Sequence, residues 1–336
     1  MPTPSPHPTS PRSPSESSST SPSRPRNPGV PLDLTLVREL SIPAFRVGER
    51  VSGVDARAPE GDSRLRDDLL HLLWSLDLTT LAGDDTGERV RVLCRRARSP
   101  VPGGLAERLG ENEPGRNRVA AVCVFPAFIE EAREALEGSS VPVATVSGGF
   151  PHGLSRLSDR VREVASALEA GADEIDVVIR REWALGERWE RLYEEVRAMR
   201  EAAGPVTLKV ILGTGEMESL DQVARSALVA ALAGADFVKT STGKERVNAT
   251  LPAGLAMARA VATCERETGR RVGLKPAGGI RKAEEGLAWL HLVREELGEE
   301  AATPDRFRVG ASSLLDSLVA RLDALAPAPS GGKSSA

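Results

Sequence analysis

Residues 207–240 hold the passage that decides the fold. They read TLKVILG over Thr207–Gly213, then Val223, Ala227, Leu228 and Ala231 at helical spacing, then Gly234, then DFVKT over Asp236–Thr240. A short apolar run, an amphipathic helix with a glycine as stop signal, and a second apolar run form a strand–helix–strand unit. Its right-handed crossover leaves the two strands parallel.

The same unit recurs outward in both directions. The runs Ser75–Leu81 (SLDLTTL), Ala120–Pro126 (AAVCVFP), Val143–Phe150 (VATVSGGF) and Glu174–Ile179 (EIDVVI) precede it, and Val272–Pro276 (VGLKP) and Arg308–Ala311 (RVGA) follow. Helical faces intervene, as at Val161, Val164, Ala165 and Leu168 before Gly171, and at Leu287, Leu290 and Leu297 before Gly298. Eight such units predict one α/β domain, a closed (β/α)8 TIM barrel. An open doubly wound sheet would carry a glycine-rich turn after its first strand, and SLDLTTLAGDD contains no GxGxxG.

The barrel domain is expected over 32–325. Residues 1–31 contain ten prolines and nine serines and no apolar periodicity, so they cannot offset their ordering entropy and read as a disordered tail. Residues 326–336 read the same way. The prolines also oppose an amphipathic targeting helix around Arg12, Arg24 and Arg26.

Composition removes several function classes. A net charge of −4 offers nucleic acid no general attraction, and no apolar run approaches the length of a bilayer span. Cys94, Cys123 and Cys264 are odd in number and far apart, which excludes a disulfide framework and points to the cytoplasm. Four histidines without HxH or HExxH spacing give a catalytic zinc little to bind. No metal or organic cofactor, nucleic acid or membrane partner is expected; a homo-oligomer is compatible with the sequence.

Chemistry enters at four polar residues inside apolar strands. Side chains alternate across a strand. With Ile175, Val177 and Ile179 facing the helices, Asp176 faces the barrel interior, and the same alternation turns Lys209, Lys239 and Lys275 inward. One carboxylate cannot neutralise three buried lysines, and crowding with desolvation lowers an ammonium pKa until the amine is a nucleophile towards carbonyls. The alternation leaves Lys209, Lys239 and Lys275 as competing candidates. Loops after the last strands, Ala277–Arg281 (AGGIR) and Gly310–Ser313 (GASS), with Thr242–Gly243–Lys244 after the sixth, have the glycines and helix start of a phosphate cradle. A small phosphorylated carbonyl compound is the expected partner.

These segments resemble the deoxyribose-phosphate aldolase family. FVKTSTGK (Phe237–Lys244), GLKPAGGIR (Gly273–Arg281), EIDVVI, AVCVFP and VGASSLL (Val309–Leu315) carry the likeness, in order, from about Leu72 to Leu318. DLTTL, GDDT and GERWERLYEEVR look closer to the longer branch that includes animal members. The resemblance implies a metal-independent class I aldolase that reversibly cleaves 2-deoxy-D-ribose 5-phosphate to D-glyceraldehyde 3-phosphate and acetaldehyde. It implies Lys239 as the Schiff-base lysine, Lys275 as the second lysine that lowers its pKa, and Asp176 as partner of Lys275 in moving protons. Gly243, Lys244, Gly278, Gly279, Ser312 and Ser313 match the phosphate loops, Thr79 would lie near the sugar hydroxyls, and Cys123 would be pocket wall, with Lys209 nearby. The expected break is at C3–C4.

Two features depart from the family pattern. Members often end in a tyrosine-bearing tail, whereas the only tyrosine here is Tyr193, on a predicted helix; the Pro/Ser-rich head has no counterpart. Other readings are a Schiff-base barrel aldolase for another phosphorylated sugar, a non-catalytic sugar-phosphate binding barrel, and a zinc-dependent aldolase.

Overall fold

The computed structural model describes residues 27–55, 61–111 and 117–327. Each expected apolar run contains a strand: β1 Leu76–Thr79, β2 Ala121–Val124, β3 Val143–Ser147, β4 Glu174–Val178, β5 Thr207–Ile211, β6 Phe237–Lys239, β7 Gly273–Lys275 and β8 Val309–Gly310. All neighbours pair in parallel in the order β7-β6-β5-β4-β3-β2-β1-β8. The two ends then meet. Parallel bridges join Leu274 to Phe307 and Ala277 to Gly310, and Gly310 N donates to Pro276 O at 2.9 Å. The sheet closes into a (β/α)8 barrel.

Helices Leu157–Glu169, Leu220–Leu232 and Ala283–Leu297 lie where the periodicity places them. Gly171, Gly234 and Gly298 take positive φ angles of 98°, 110° and 90° just past their ends, backbone that glycine adopts readily and that stops a helix. Ser219 starts Leu220–Leu232 by accepting a hydrogen bond from Gln222 N at 3.2 Å.

Three helices before β1 were not foreseen: Leu34–Glu39, Ala44–Asp55 and Asp62–Trp74. They pack on the helices that follow β5 to β8, extending the outer layer on that side. Residues 27–31, which composition placed in the tail, include several that are tied to the barrel. Asn27 is buried, and its amide donates to Ala231 O and Ala235 O, both at 2.8 Å. Val30 N donates to Leu232 O at 2.8 Å, and Tyr193 Oη donates to Val30 O at 2.9 Å. One asparagine that satisfies two buried carbonyls anchors a segment whose prolines argue for disorder. At the other end, Ala326 and Pro327 accept from Arg108. The remainder of both expected tails, 1–26 and 328–336, lies outside the described residues.

The barrel interior is divided. Ala121, Cys123, Ala144 and Val146 on β2 and β3, with Leu81, form an apolar wall capped by Phe125 and Phe150. Charged side chains fill the opposite half. The strands' outward residues, such as Val122, Ile175, Leu208, Val238 and Leu274, are fully buried beneath the helices, each worth about 1.5–3 kcal/mol.

Candidate active site

The predicted alternation holds on every strand that bears a candidate. Asp176, Lys209 and Lys275 are fully buried inside the barrel and Lys239 is 2% exposed. Register sets their heights: Asp176 pairs with Lys209, whereas Lys239 pairs with Ile211, two residues nearer the carboxyl end than Lys209, and with Lys275.

The expectation of one carboxylate among three lysines needs correction. Asp77 on β1, Glu174 on β4 and Arg308 just before β8 also point inward and are buried. Asp77 follows the alternation already used elsewhere, with Leu76 and Leu78 facing out; Glu174 lies two residues before Asp176, on the same face. Burying ammonium groups demands such partners. Lys209 Nζ lies 2.6 Å from Glu174 Oε2 and 2.7 Å from Asp176 Oδ1. Lys275 Nζ lies 2.5 Å from Asp77 Oδ2 and 2.8 Å from Asp176 Oδ2. Lys239 Nζ has Asp176 Oδ2 at 2.8 Å. Arg308 donates to Asp77 Oδ1 at 2.7 Å and to Glu174 Oε1 at 3.0 Å.

These contacts separate the three amines that the sequence leaves equivalent. Burial depresses the pKa of each, and the balance is then set by neighbouring charge. For Lys239, burial outweighs Asp176, Lys275 adds repulsion, and the pKa falls below that of an ordinary lysine. For Lys209, burial is overcome by Asp176, Glu174 and Asp77, and the pKa rises. Lys275 is likewise raised, by Asp176 and then Asp77. Burial opposes ionisation of Asp176, but Lys209, Lys239 and Lys275 together hold its carboxyl well below the usual range. Of these three amines, Lys239 alone has its pKa lowered.

That amine also faces the open end. A cavity of about 390 Å³ at the carboxyl ends of the strands is lined by Lys239 together with Thr79, Gly243, Lys244, Gly278, Gly279, Ser312 and Ser313. Arg281 from the β7 loop joins them. Lys209, Lys275 and Cys123 face the interior but do not line this cavity. Cys123 belongs to the apolar wall, and burial pushes its thiol up, away from thiolate chemistry. Gly310 leaves room for Lys275: a Cβ there would come within 2.9 Å of Ala277 Cβ and 3.3 Å of Lys275 Cε.

Two of the expected phosphate contacts are already engaged. The Ser312 hydroxyl donates to Thr79 O at 2.7 Å and accepts from Thr79 N at 2.8 Å, tying the last loop to β1. The N–H groups of Thr242 and Gly243 donate to Glu245, at 3.0 Å and 3.1 Å. Sequence reasoning missed Glu245, although a carboxylate two residues beyond Gly243 is well placed to bind back onto the turn. Among the described residues no group of three or more His, Cys, Asp or Glu could hold a metal ion; Asp77, Glu174 and Asp176 hold the chain's own cations.

The geometry agrees with the comparisons to known proteins. The DeoC/LacD family aldolase model matches residues 72–319. The chain belongs to that aldolase family. The deoxyribose-phosphate aldolase of Mus musculus is 47% identical over 292 residues, 86% of this chain and 92% of the relative. That of Homo sapiens is 44% identical over 294 residues, 87% and 92% respectively. Among solved structures, one from Toxoplasma gondii ME49, provisionally assigned as a deoxyribose-phosphate aldolase, superposes with a TM-score of 0.67 at 25% identity, covering 79% of this chain and 97% of its own. The match to the family begins within helix Asp62–Trp74, so the helices Leu34–Glu39 and Ala44–Asp55 stand outside it.

Proposed function

We infer that this aldolase reversibly cleaves 2-deoxy-D-ribose 5-phosphate to D-glyceraldehyde 3-phosphate and acetaldehyde, with Lys239 as the Schiff-base lysine. The observation that carries the assignment of the nucleophile is the contrast among three buried lysines. Lys239 alone lines the cavity bounded by the glycine- and serine-rich loops, and it shares its carboxylate instead of owning one. The substrate follows from family membership, the 44–47% identity to mammalian deoxyribose-phosphate aldolases, and the loops suited to a phosphate.

The steps follow from the arrangement. Neutral Lys239 attacks C1 of the open-chain aldehyde, and loss of water gives an iminium that acts as the electron sink. The scissile bond is C2–C3, a correction to the C3–C4 bond expected from sequence: acetaldehyde retains C1 and C2, and only C2 lies next to the imine. A base removes the C3 hydroxyl proton, the C2–C3 electrons flow into the iminium, and glyceraldehyde 3-phosphate departs. The enamine is then protonated at C2 and the iminium hydrolysed. Asp176, held ionised, and Lys275, held protonated, are suited to accept and donate these protons, directly or through one water. Lys244, Arg281 and the Gly278–Gly279 turn, whose φ angles of 85° and 88° are open to glycine, would hold the phosphate. No step requires a metal or organic cofactor.

A cytoplasmic setting is consistent with three buried, unpaired cysteines. No helix among the described residues is long and apolar enough to cross a membrane. Borohydride reduction in the presence of acetaldehyde tests the assignment. One ethyl adduct, mapped to Lys239, is expected; an unlabelled protein or an adduct elsewhere refutes it.

A further inference from the structure

The charged side chains of the barrel interior close into a ring. Starting at Arg308, the contacts run to Glu174 (3.0 Å), Lys209 (2.6 Å), Asp176 (2.7 Å), Lys275 (2.8 Å), Asp77 (2.5 Å) and back to Arg308 (2.7 Å). Cations and anions alternate, so the ring is neutral. Lys239 stands outside it and, among the described residues, is attached to it through Asp176 Oδ2. A proton on Lys239 is therefore the one charge that the ring does not balance.

We propose that Glu174 and Arg308 are positioning residues that set the charge state of Lys239 from the opposite end of the barrel. This rests on the reading of Lys239 as the Schiff-base lysine. Both residues line a separate cavity of about 670 Å³ at the amino ends of the strands, with Trp74, Arg118, Asp173 and Asp305, and it shares no lining residue with the cavity that contains Lys239. They have no place in contact with substrate. Their influence is electrostatic: among buried side chains a net charge is screened less than at the surface and is felt across several residues. Arg308 is fixed further by the Phe237 ring, whose centroid is 5.5 Å from its guanidinium carbon.

The sign of the effect is determined by the ring. Glu174→Gln leaves the ring with an excess positive charge, which disfavours protonated Lys239 and moves the acidic limb of imine formation to lower pH. Arg308→Met leaves an excess negative charge and moves that limb to higher pH. The other groups facing Lys239 remain constant in both variants: Asp77, Cys123, Asp176, Lys209 and Lys275 from the strands, and Lys244 and Arg281 from the loops at the mouth.

The test is the pH dependence of single-turnover imine formation with acetaldehyde, trapped by borohydride, in the full chain. Opposite shifts, each on the order of half a pH unit or more, are expected from the two variants. The double variant Glu174→Gln/Arg308→Met restores neutrality and returns the limb towards the wild-type position, while Glu174→Asp and Arg308→Lys leave it in place whatever their effect on thermal stability. A merely structural role would lower Tm and slow both variants without moving the limb in opposite directions. Should Arg308→Met fail to fold, Glu174→Gln against Glu174→Asp and the double variant decides the matter. Unmoved limbs, or shifts of the same sign, with a wild-type adduct still at Lys239, overturn the ring and leave the nucleophile intact; a wild type without that adduct overturns both.

Discussion

Lys239 and Lys275 place their ammonium nitrogens at the same distance, 2.8 Å, from the same oxygen of Asp176. They differ in what else they touch. Lys275 has Asp77 at 2.5 Å, whereas the described contacts of Lys239 include no second carboxylate. That extra carboxylate goes with opposite shifts: the pKa of Lys275 is raised above that of an ordinary lysine and the pKa of Lys239 is lowered. This difference underlies the proposed division of duties, with Lys239 as nucleophile and Lys275 as proton donor.

Removing the shared acid tests this division. Asp176→Asn is expected to lower kcat by roughly 10²- to 10⁴-fold, with the borohydride adduct still found on Lys239. Near wild-type turnover would show that Asp176 moves no proton. Steady-state kinetics on deoxyribose 5-phosphate supply the measurement.

Lys209 is assigned to structure. Lys209→Met leaves Glu174 and Asp176 facing a neutral side chain in a buried site, and is expected to cost about 3–5 kcal/mol in chemical denaturation. Whatever fraction folds should still form its acetaldehyde adduct on Lys239. An adduct lost in folded protein would make Lys209 part of the chemistry.

Phosphate recognition should depend on Lys244 and not on the Ser312 hydroxyl. Lys244→Met is expected to raise KM for glyceraldehyde 3-phosphate in the condensation direction about 10-fold or more, while leaving condensation with unphosphorylated glyceraldehyde unchanged. Ser312→Ala removes a hydroxyl already engaged with Thr79. It should cost about 1 kcal/mol of stability and leave that KM nearly unaltered. Equal effects on both aldehydes, or a large KM effect from Ser312→Ala, would contradict this division.

Stability should fall in acid. Burial opposes ionisation of Asp77, Glu174 and Asp176, but their cationic neighbours win and hold all three below the ordinary values of 3.8 for aspartate and 4.5 for glutamate. The unfolded chain therefore binds these protons more tightly than the folded one. The stability they contribute is present in full above about pH 5 and is lost as the pH falls through and below the ordinary range. Tm measured from pH 7 to pH 3 should stay level to about pH 5 and then drop steeply; a level profile to pH 3 would mean that the ring is not ionised as described.

Much of this was legible in the chain. Strand positions and barrel closure follow from eight recurring strand–helix units, and the inward turn of Asp176, Lys209, Lys239 and Lys275 follows from alternation, because a strand enclosed by helices shows a polar residue only where it faces the interior. The same rule applied to SLDLTTL would have found Asp77, and applied to EIDVV it would have found Glu174. Arg308 is harder, because β8 is two residues long and offers no alternation to read. Ser312 was picked out by its loop, but its bond to Thr79 and the part played by Glu245 were beyond reach, since whether a hydroxyl or carboxylate binds back onto the chain's own backbone depends on loop geometry. Asn27 was hidden by composition, where a single well-placed amide outweighs neighbouring prolines.

The most direct test of the central claim is turnover of 2-deoxyribose 5-phosphate by Lys239→Leu, with folding verified by its thermal transition. With this amine removed, the one of the three whose pKa is lowered, release of glyceraldehyde 3-phosphate should fall to background even though Lys209 and Lys275 remain. Retained turnover in that variant would contradict the account, because the carbonyl would then be activated by some other group.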